Sequence, residues 1–159
     1  MPNSILTPMT QDAFASYREA AVRAYAQDNV AAGRWPEEGA MARSADDFAE
    51  SLPQGLQTPE NHLFEIRDAA TGGVVGALWF AVVVKHGIKS AFVYDFEVQP
   101  GHRRRGHGRA AFVALESLVK ALGLSSIGLH VFGHNPQAQA LYQSLGYGVT
   151  GVNMLKHLG

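Results

Sequence analysis

The chain contains no cysteine. Disulfides, thiolate metal centres and a cysteine nucleophile are therefore excluded. Charge is also scarce: 17% of residues are charged and the formal net charge is -1. Such a balance provides no general attraction to nucleic acid or to a membrane surface. No apolar run is long enough to cross a bilayer; the longest, Val74 to Val84, is broken by Gly76 and is rich in β-branched residues. Repeats, low-complexity tracts and interdomain linkers are missing as well. The opening Met1-Pro2-Asn3-Ser4 lacks the basic and apolar regions of a secretion signal, so a cytoplasmic location is expected.

What is present fits one globular domain: 159 residues, 47% of them hydrophobic. Ser4 to Pro8 reads as a short strand. Gln11 to Asp28 reads as a helix, with Phe14, Tyr17, Ala21 and Tyr25 on one face. An irregular stretch from Asn29 to Met41 carries Arg34-Trp35. Ser44 then resembles the N-cap of a short helix ended by Pro53.

From His62 onward, three strands are expected in a meander. The second is Val74 to Lys85 and the third Lys89 to Val98, joined by a tight turn at His86-Gly87. Gly108 to Leu122 is expected to be helical and Ser126 to Val131 a strand. Asn135-Pro136 starts a further helix carrying Leu141 and Tyr142, and Tyr147 to Val149 and Val152 to Leu155 read as closing strands. A strand-helix-strand unit from Lys89 to Val131 implies two parallel neighbours with a right-handed crossover. The expected architecture is α/β: one central mixed sheet flanked by helices on both faces.

The most informative stretch runs from Asp95 to Arg109. A strand ends near Pro100, the loop Arg103-Arg104-Arg105-Gly106-His107-Gly108 follows, and a helix then begins. A helix start leaves N–H groups unpaired and carries partial positive charge, while glycines let an anion approach the backbone. The pattern points to a phosphate-bearing ligand. Gly-Lys-Ser/Thr is absent, which excludes a P-loop nucleotide site. A nucleic-acid face would need a broader positive surface than one arginine run.

This loop resembles the R/Q-x-x-G-x-G/A signature of GNAT-family N-acetyltransferases. Asn135, Leu141-Tyr142 and Gly146-Tyr147 are similar to a second signature of that family. The likeness spans nearly all of the chain and is strongest from Val93 to Tyr147. It implies one N-acetyltransferase domain over residues 1–159, with an acceptor-side part at about 1–60 and an acetyl-CoA-binding core at about 89–147.

The resemblance further implies that the cofactor pyrophosphate rests on the amides of about Arg104 to Arg109, in the loop holding Arg105, Gly106, His107 and Gly108. Arg103, Arg104 and Arg109 would add charge there. The pantetheine arm would lie along the strand ending at Val98, whose amide would meet the thioester oxygen. Tyr142 occupies the family's usual general-acid position. Asn135 has a structural role as a helix cap, and a cofactor contact would be additional. Trp35 is a candidate at the acceptor side.

Asp95 and Glu97 lie two apart on a strand and so share a face, with Phe96 and Val98 on the other. Either carboxylate could serve as general base, Glu97 before Asp95 because it stands nearer the expected thioester; both could also be plain surface residues. The alternative for Tyr142 is a packing aromatic on a helix face.

The implied function is transfer of an acetyl group from acetyl-CoA, a co-substrate, to a primary amine by direct attack in a ternary complex. The alternatives are a catalytically inactive acyl-CoA-binding sensor and an acyltransferase using another acyl-CoA. The implied partner is a small-molecule or peptide amine, with no nucleic acid, no membrane and no metal; His130 and His134 lack the helical geometry for shared ligation. A homodimer fits the family pattern.

Overall fold

In the computed structural model, residues 3–159 are described. They fall into two compact units, and each is treated by itself. One comprises the chain up to Tyr17 together with Leu52–His130; the other comprises Arg18–Ser51 and Val131–Gly159.

The first unit is built on a five-stranded sheet in the order β1-β2-β3-β4-β5. The strands are β1 (Ser4–Pro8), β2 (Asn61–Asp68), β3 (Val74–Lys85), β4 (Ile88–Val98) and β5 (Ile127–Leu129). The first four pair antiparallel, and β4 pairs parallel with β5. The sheet is therefore mixed, as expected. The β3–β4 hairpin turns at His86-Gly87, where φ is 53° and 77°. Two left-handed residues in succession match the right-handed twist of the strands.

Helix α3, His107–Ala121, makes the crossover from β4 to β5. Its face of Ala111, Phe112, Leu115 and Val119 is buried, and the sheet supplies Ile66, Leu78, Phe80, Ala91 and Val93. The Phe96 and Phe112 rings meet edge to face at 4.8 Å. Phe96 thus marks the side of the sheet that α3 covers.

In β4 the register shifts beside Trp79 and Phe80: Trp79 faces Asp95 whereas Phe80 faces Val93. Tyr94 is the extra residue, and its ring stacks on Trp79 at 4.9 Å. A bulge of this kind sets two successive residues toward one face. Tyr94 and Asp95 therefore both turn away from α3. On that side, Tyr17 from the opening turns of helix α1 (Gln11–Ala31) reaches Asp95.

In the second unit, the Arg18 to Ala31 part of α1 and helix α2 (Ala40–Ser51) are tied by a buried hydrogen bond, Ser44 Oγ donating to the Val22 carbonyl at 2.6 Å. Ser44 is therefore not the expected cap. The helix starts earlier, at Ala40, and Ser44 is fully buried inside it. Tyr25 packs edge-on against both Trp35 and Phe48. Helix α4, Pro136–Ser144, begins where Asn135-Pro136 implies, with Asn135 Oδ1 accepting from the Ala138 amide at 3.2 Å.

Two expectations for the C-terminal part change. The strand at Ser126 to Val131 shortens to Ile127–Leu129. Tyr147 to Val149 and Val152 to Leu155 form no strands. A strand needs a paired neighbour, and this segment is interrupted by Gly148 and Gly151, while Val149, Val152 and Met154 are exposed.

Candidate active site

The end of β4 is where sequence pattern and geometry meet. β5 pairs only with Ala91–Val93. Among the described residues, Tyr94–Val98 has no parallel neighbour beyond that point, so this length of β4 is an open edge. The Gln99 amide donates to the Val75 carbonyl at 2.7 Å. Backbone groups alternate sides along an antiparallel ladder, so the Val98 N–H and C=O point to the open edge. The carbonyl is met there by Arg103 Nε, which donates at 2.8 Å. Arg103 also lies 3.5 Å from Glu97 Oε1.

Gly76 makes this edge possible. It faces Val98 across the β3–β4 ladder. A Cβ on Gly76 would overlap the Glu97 carbonyl oxygen and come within 3.1 Å of the Val98 Cα. Only glycine lets the Glu97–Val98 peptide lie this close to β3.

After β4, Pro100–His102 forms one 3-10 turn, and the chain then passes through Arg104 at φ 63° and Gly106 at φ 81°. Left-handed residues inside a loop turn successive N–H groups toward a common concavity. Gly106 is the N-cap of α3 and offers no side chain, and the first intrahelical bond runs from the Ala110 amide to the Gly106 carbonyl. The preceding amides of His107 and Gly108 thus have no acceptor within the helix. Arg103, Arg104, Arg105 and Arg109 are exposed around them. The donors and charges suit an anion such as a pyrophosphate.

The loop is anchored from behind. The Asn3 side-chain amide donates to the Arg105 carbonyl. His107 is buried; its Nδ1 shares a 2.7 Å hydrogen bond with Ser4 Oγ and its Nε2 lies 3.7 Å from Asp68 Oδ2. Its imidazole faces inward, so what His107 offers the loop is its amide. Asp68 itself is held below the usual carboxylate range, chiefly by the amides of Ala70 and Thr71; desolvation opposes them, and the nearby His107 and then His102 each add a lesser pull downward.

On the opposite side of β4, the Tyr17 hydroxyl donates to Asp95 Oδ2 at 2.6 Å. Burial pushes the Tyr17 phenol well above its ordinary range. The Asp95 charge and hydrogen bond, and the Glu97 charge, push it further. Tyr17 is the residue that sequence reasoning missed. It read as one member of an apolar helix stripe, and the available signal was its hydroxyl, which needs a partner when buried.

In the second unit, Tyr142 is buried on α4 with its ring 6.1 Å from that of Tyr147. Asn135 is occupied as a cap, and Trp35 packs on Tyr25. His134 Nε2 lies 3.1 Å from Asp28 Oδ1. Among the described residues, no group of three or more His, Asp or Glu is placed to hold a metal ion, and no helix is long and apolar enough to cross a membrane.

Comparison with known proteins places this arrangement. YycN of Bacillus subtilis strain 168, described as an uncharacterised N-acetyltransferase, is 36% identical over 154 residues, covering 97% of this chain and 98% of its own. The crystal structure of YycN superposes with a TM-score of 0.92 over 98% of both chains. YdgE of the same organism, likewise an uncharacterised N-acetyltransferase, is 31% identical over 96% of this chain and 97% of its own. A GCN5-related N-acetyltransferase from Ralstonia eutropha JMP134, at 21% identity and a TM-score of 0.68 over 98% of both chains, shares the fold. The profile of the acetyltransferase (GNAT) family matches residues 15–147, and the chain belongs to that family.

Proposed function

We propose that the protein is an acetyl-CoA-dependent N-acetyltransferase acting on a primary amine. The observation that carries the reading is the join between the open β4 edge at Val98 and the left-handed Arg104–Gly106 loop at the start of α3. Acetyl-CoA would supply an activated thioester. The loop amides and arginines suit its phosphates, and the outward-facing Val98 backbone suits its amide-bearing arm.

The chain's own groups account for the proton traffic. An alkylammonium has a pKa of about 10, so the acceptor must lose a proton before it attacks. One of the two carboxylates at the end of β4, Glu97 before Asp95, takes that proton, directly or through water. The amine nitrogen then forms its bond to the acyl carbon as the carbon–sulfur bond breaks. The Val98 N–H donates to the oxygen on which charge develops. Tyr142 gives a proton to the departing sulfur, and the second proton, shed by the nitrogen as the amide forms, restores the phenol. With no cysteine in the chain, no acyl group passes through a protein thiol.

The test is incubation with acetyl-CoA and a panel of primary amines, read by mass spectrometry for a gain of one acetyl group. Tyr142→Phe should lower kcat by at least about a hundredfold, the range of lost general acid catalysis, with acetyl-CoA binding unchanged. Equal loss of turnover and binding would remove Tyr142 from the acid role.

A further inference from the structure

The two carboxylates at the end of β4 stand in different surroundings. Asp95 is half-buried and accepts a 2.6 Å hydrogen bond from Tyr17, a group carried by another element of the fold. Its ladder partner Trp79 is itself fixed, donating from Nε1 to Asn61 Oδ1 at 2.8 Å and stacking on Tyr94. Asp95 is thus a carboxylate of fixed orientation beside an aromatic wall. Glu97 is exposed, and its ion pair to Arg103 is long at 3.5 Å. Exposed pairs of this kind are weak and exchange freely.

The two positions suit different tasks. A docking group should hold its charge and direction, and a hydrogen bond donated to a carboxylate favours the ionised form. A general base must be free to accept a proton and release it to water. Paired carboxylates that divide their roles by environment follow this logic.

Resting on the acetyltransferase reading above, we infer that Asp95, oriented by Tyr17, docks the ammonium group of the acceptor, that Tyr17 is a positioning residue, and that proton removal falls to Glu97. The ligand class is a primary alkylammonium whose carbon chain runs against the exposed Tyr94 ring, which Trp79 backs from the core. The raised phenol of Tyr17 supports the same assignment: the hydroxyl stays a donor across the neutral and mildly alkaline range and does not itself take the acceptor's proton.

The experiment separates docking from proton transfer. The probe is butylguanidinium chloride, which stays cationic at all working pH values, donates hydrogen bonds to carboxylates and is a poor acyl acceptor. It is titrated by NMR into the full-length protein saturated with coenzyme A. Tyr17→Phe should raise the Kd by about tenfold, the lower range for losing a hydrogen bond to a charged group. Asp95→Asn should raise it further, and Glu97→Gln should raise it least of the three.

With butylamine as acceptor, Tyr17→Phe should raise the amine KM about tenfold, with little change in kcat and none in the acetyl-CoA KM. Glu97→Gln should instead lower kcat, with a smaller effect on the amine KM. Wild-type protein that does not bind butylguanidinium would overturn the inference. So would Tyr17→Phe binding it as tightly as wild type, or loss of binding in Glu97→Gln in place of Asp95→Asn. If binding follows the expected order but no amine is acetylated, the acetyltransferase reading fails and the docking assignment stands.

Discussion

Replacing Gly76 by alanine should damage stability and acetyl-CoA binding together. The added Cβ would overlap the Glu97 carbonyl oxygen and sit 3.1 Å from both the Glu97 carbonyl carbon and the Val98 Cα. All three are backbone atoms, so no side chain can swing aside. The β3–β4 ladder itself must move. Overpacking of this kind costs up to about 3 kcal/mol. The lower entropy of the unfolded alanine chain offsets about 0.5–1 kcal/mol. The net loss is about 2 kcal/mol, which for a chain of this length lowers Tm by about 4–8 °C.

The same displacement shifts the Val98 amide, so affinity for acetyl-CoA should fall. A tenfold loss at saturating ligand removes about 1.4 kcal/mol of ligand-induced stabilisation. Thermal melts of Gly76→Ala and wild type, each with and without acetyl-CoA, measure both effects. Gly101→Ala is the stability control, because a Cβ there has nothing within 4 Å. A Gly76→Ala protein that melts with wild type would refute the steric argument. One that melts lower, yet gains as much from acetyl-CoA as wild type, would refute the link to Val98.

Further outcomes follow from other parts of the structure. Gly106→Asp places a carboxylate at φ 81°, where a Cβ already lies 3.2 Å from the Asn3 side chain, and adds negative charge to the anion loop; isothermal titration should show acetyl-CoA binding abolished. Ser44→Ala removes the buried donor that the Val22 carbonyl accepts beside its own helical bond, and chemical denaturation should report a loss of about 0.5–1.5 kcal/mol. The Tyr17 phenol is raised in the folded state above its unfolded value of about 10. Below that pH both states are protonated and stability is unaffected. As pH rises through about 10 toward the folded value, the unfolded chain ionises first and stability falls. Tyr17→Phe should flatten that alkaline decline, as followed by Tm against pH.

The parts legible in sequence are those whose chemistry is local. The His86-Gly87 turn, the Arg103–Gly108 loop and the Asn135-Pro136 helix start each rest on a few adjacent residues with strong backbone preferences. The alternation of Asp95, Phe96 and Glu97 was also readable, since a strand has a period of two. What escaped depends on partners distant along the chain. Tyr17 finds Asp95 across 78 positions, and His107 turns inward because Ser4 lies behind it at 103 positions' separation. Ser44 has the composition of a cap, but a carbonyl on a neighbouring helix claims its hydroxyl. The C-terminal apolar residues have strand propensity, which cannot act without a ladder to join.

The open edge of β4 has a consequence for how the protein behaves in bulk. Unpaired strand edges are where separate molecules add to one another and aggregate, and natural sheets guard them with charge. Here the guards are Glu97 and Arg103, the latter capping the Val98 carbonyl with its own guanidinium. Two residues of the candidate site thus stand where such guards belong. Light scattering therefore belongs beside any rate measured on a Glu97 or Arg103 variant, because a fall in activity there has two separable origins.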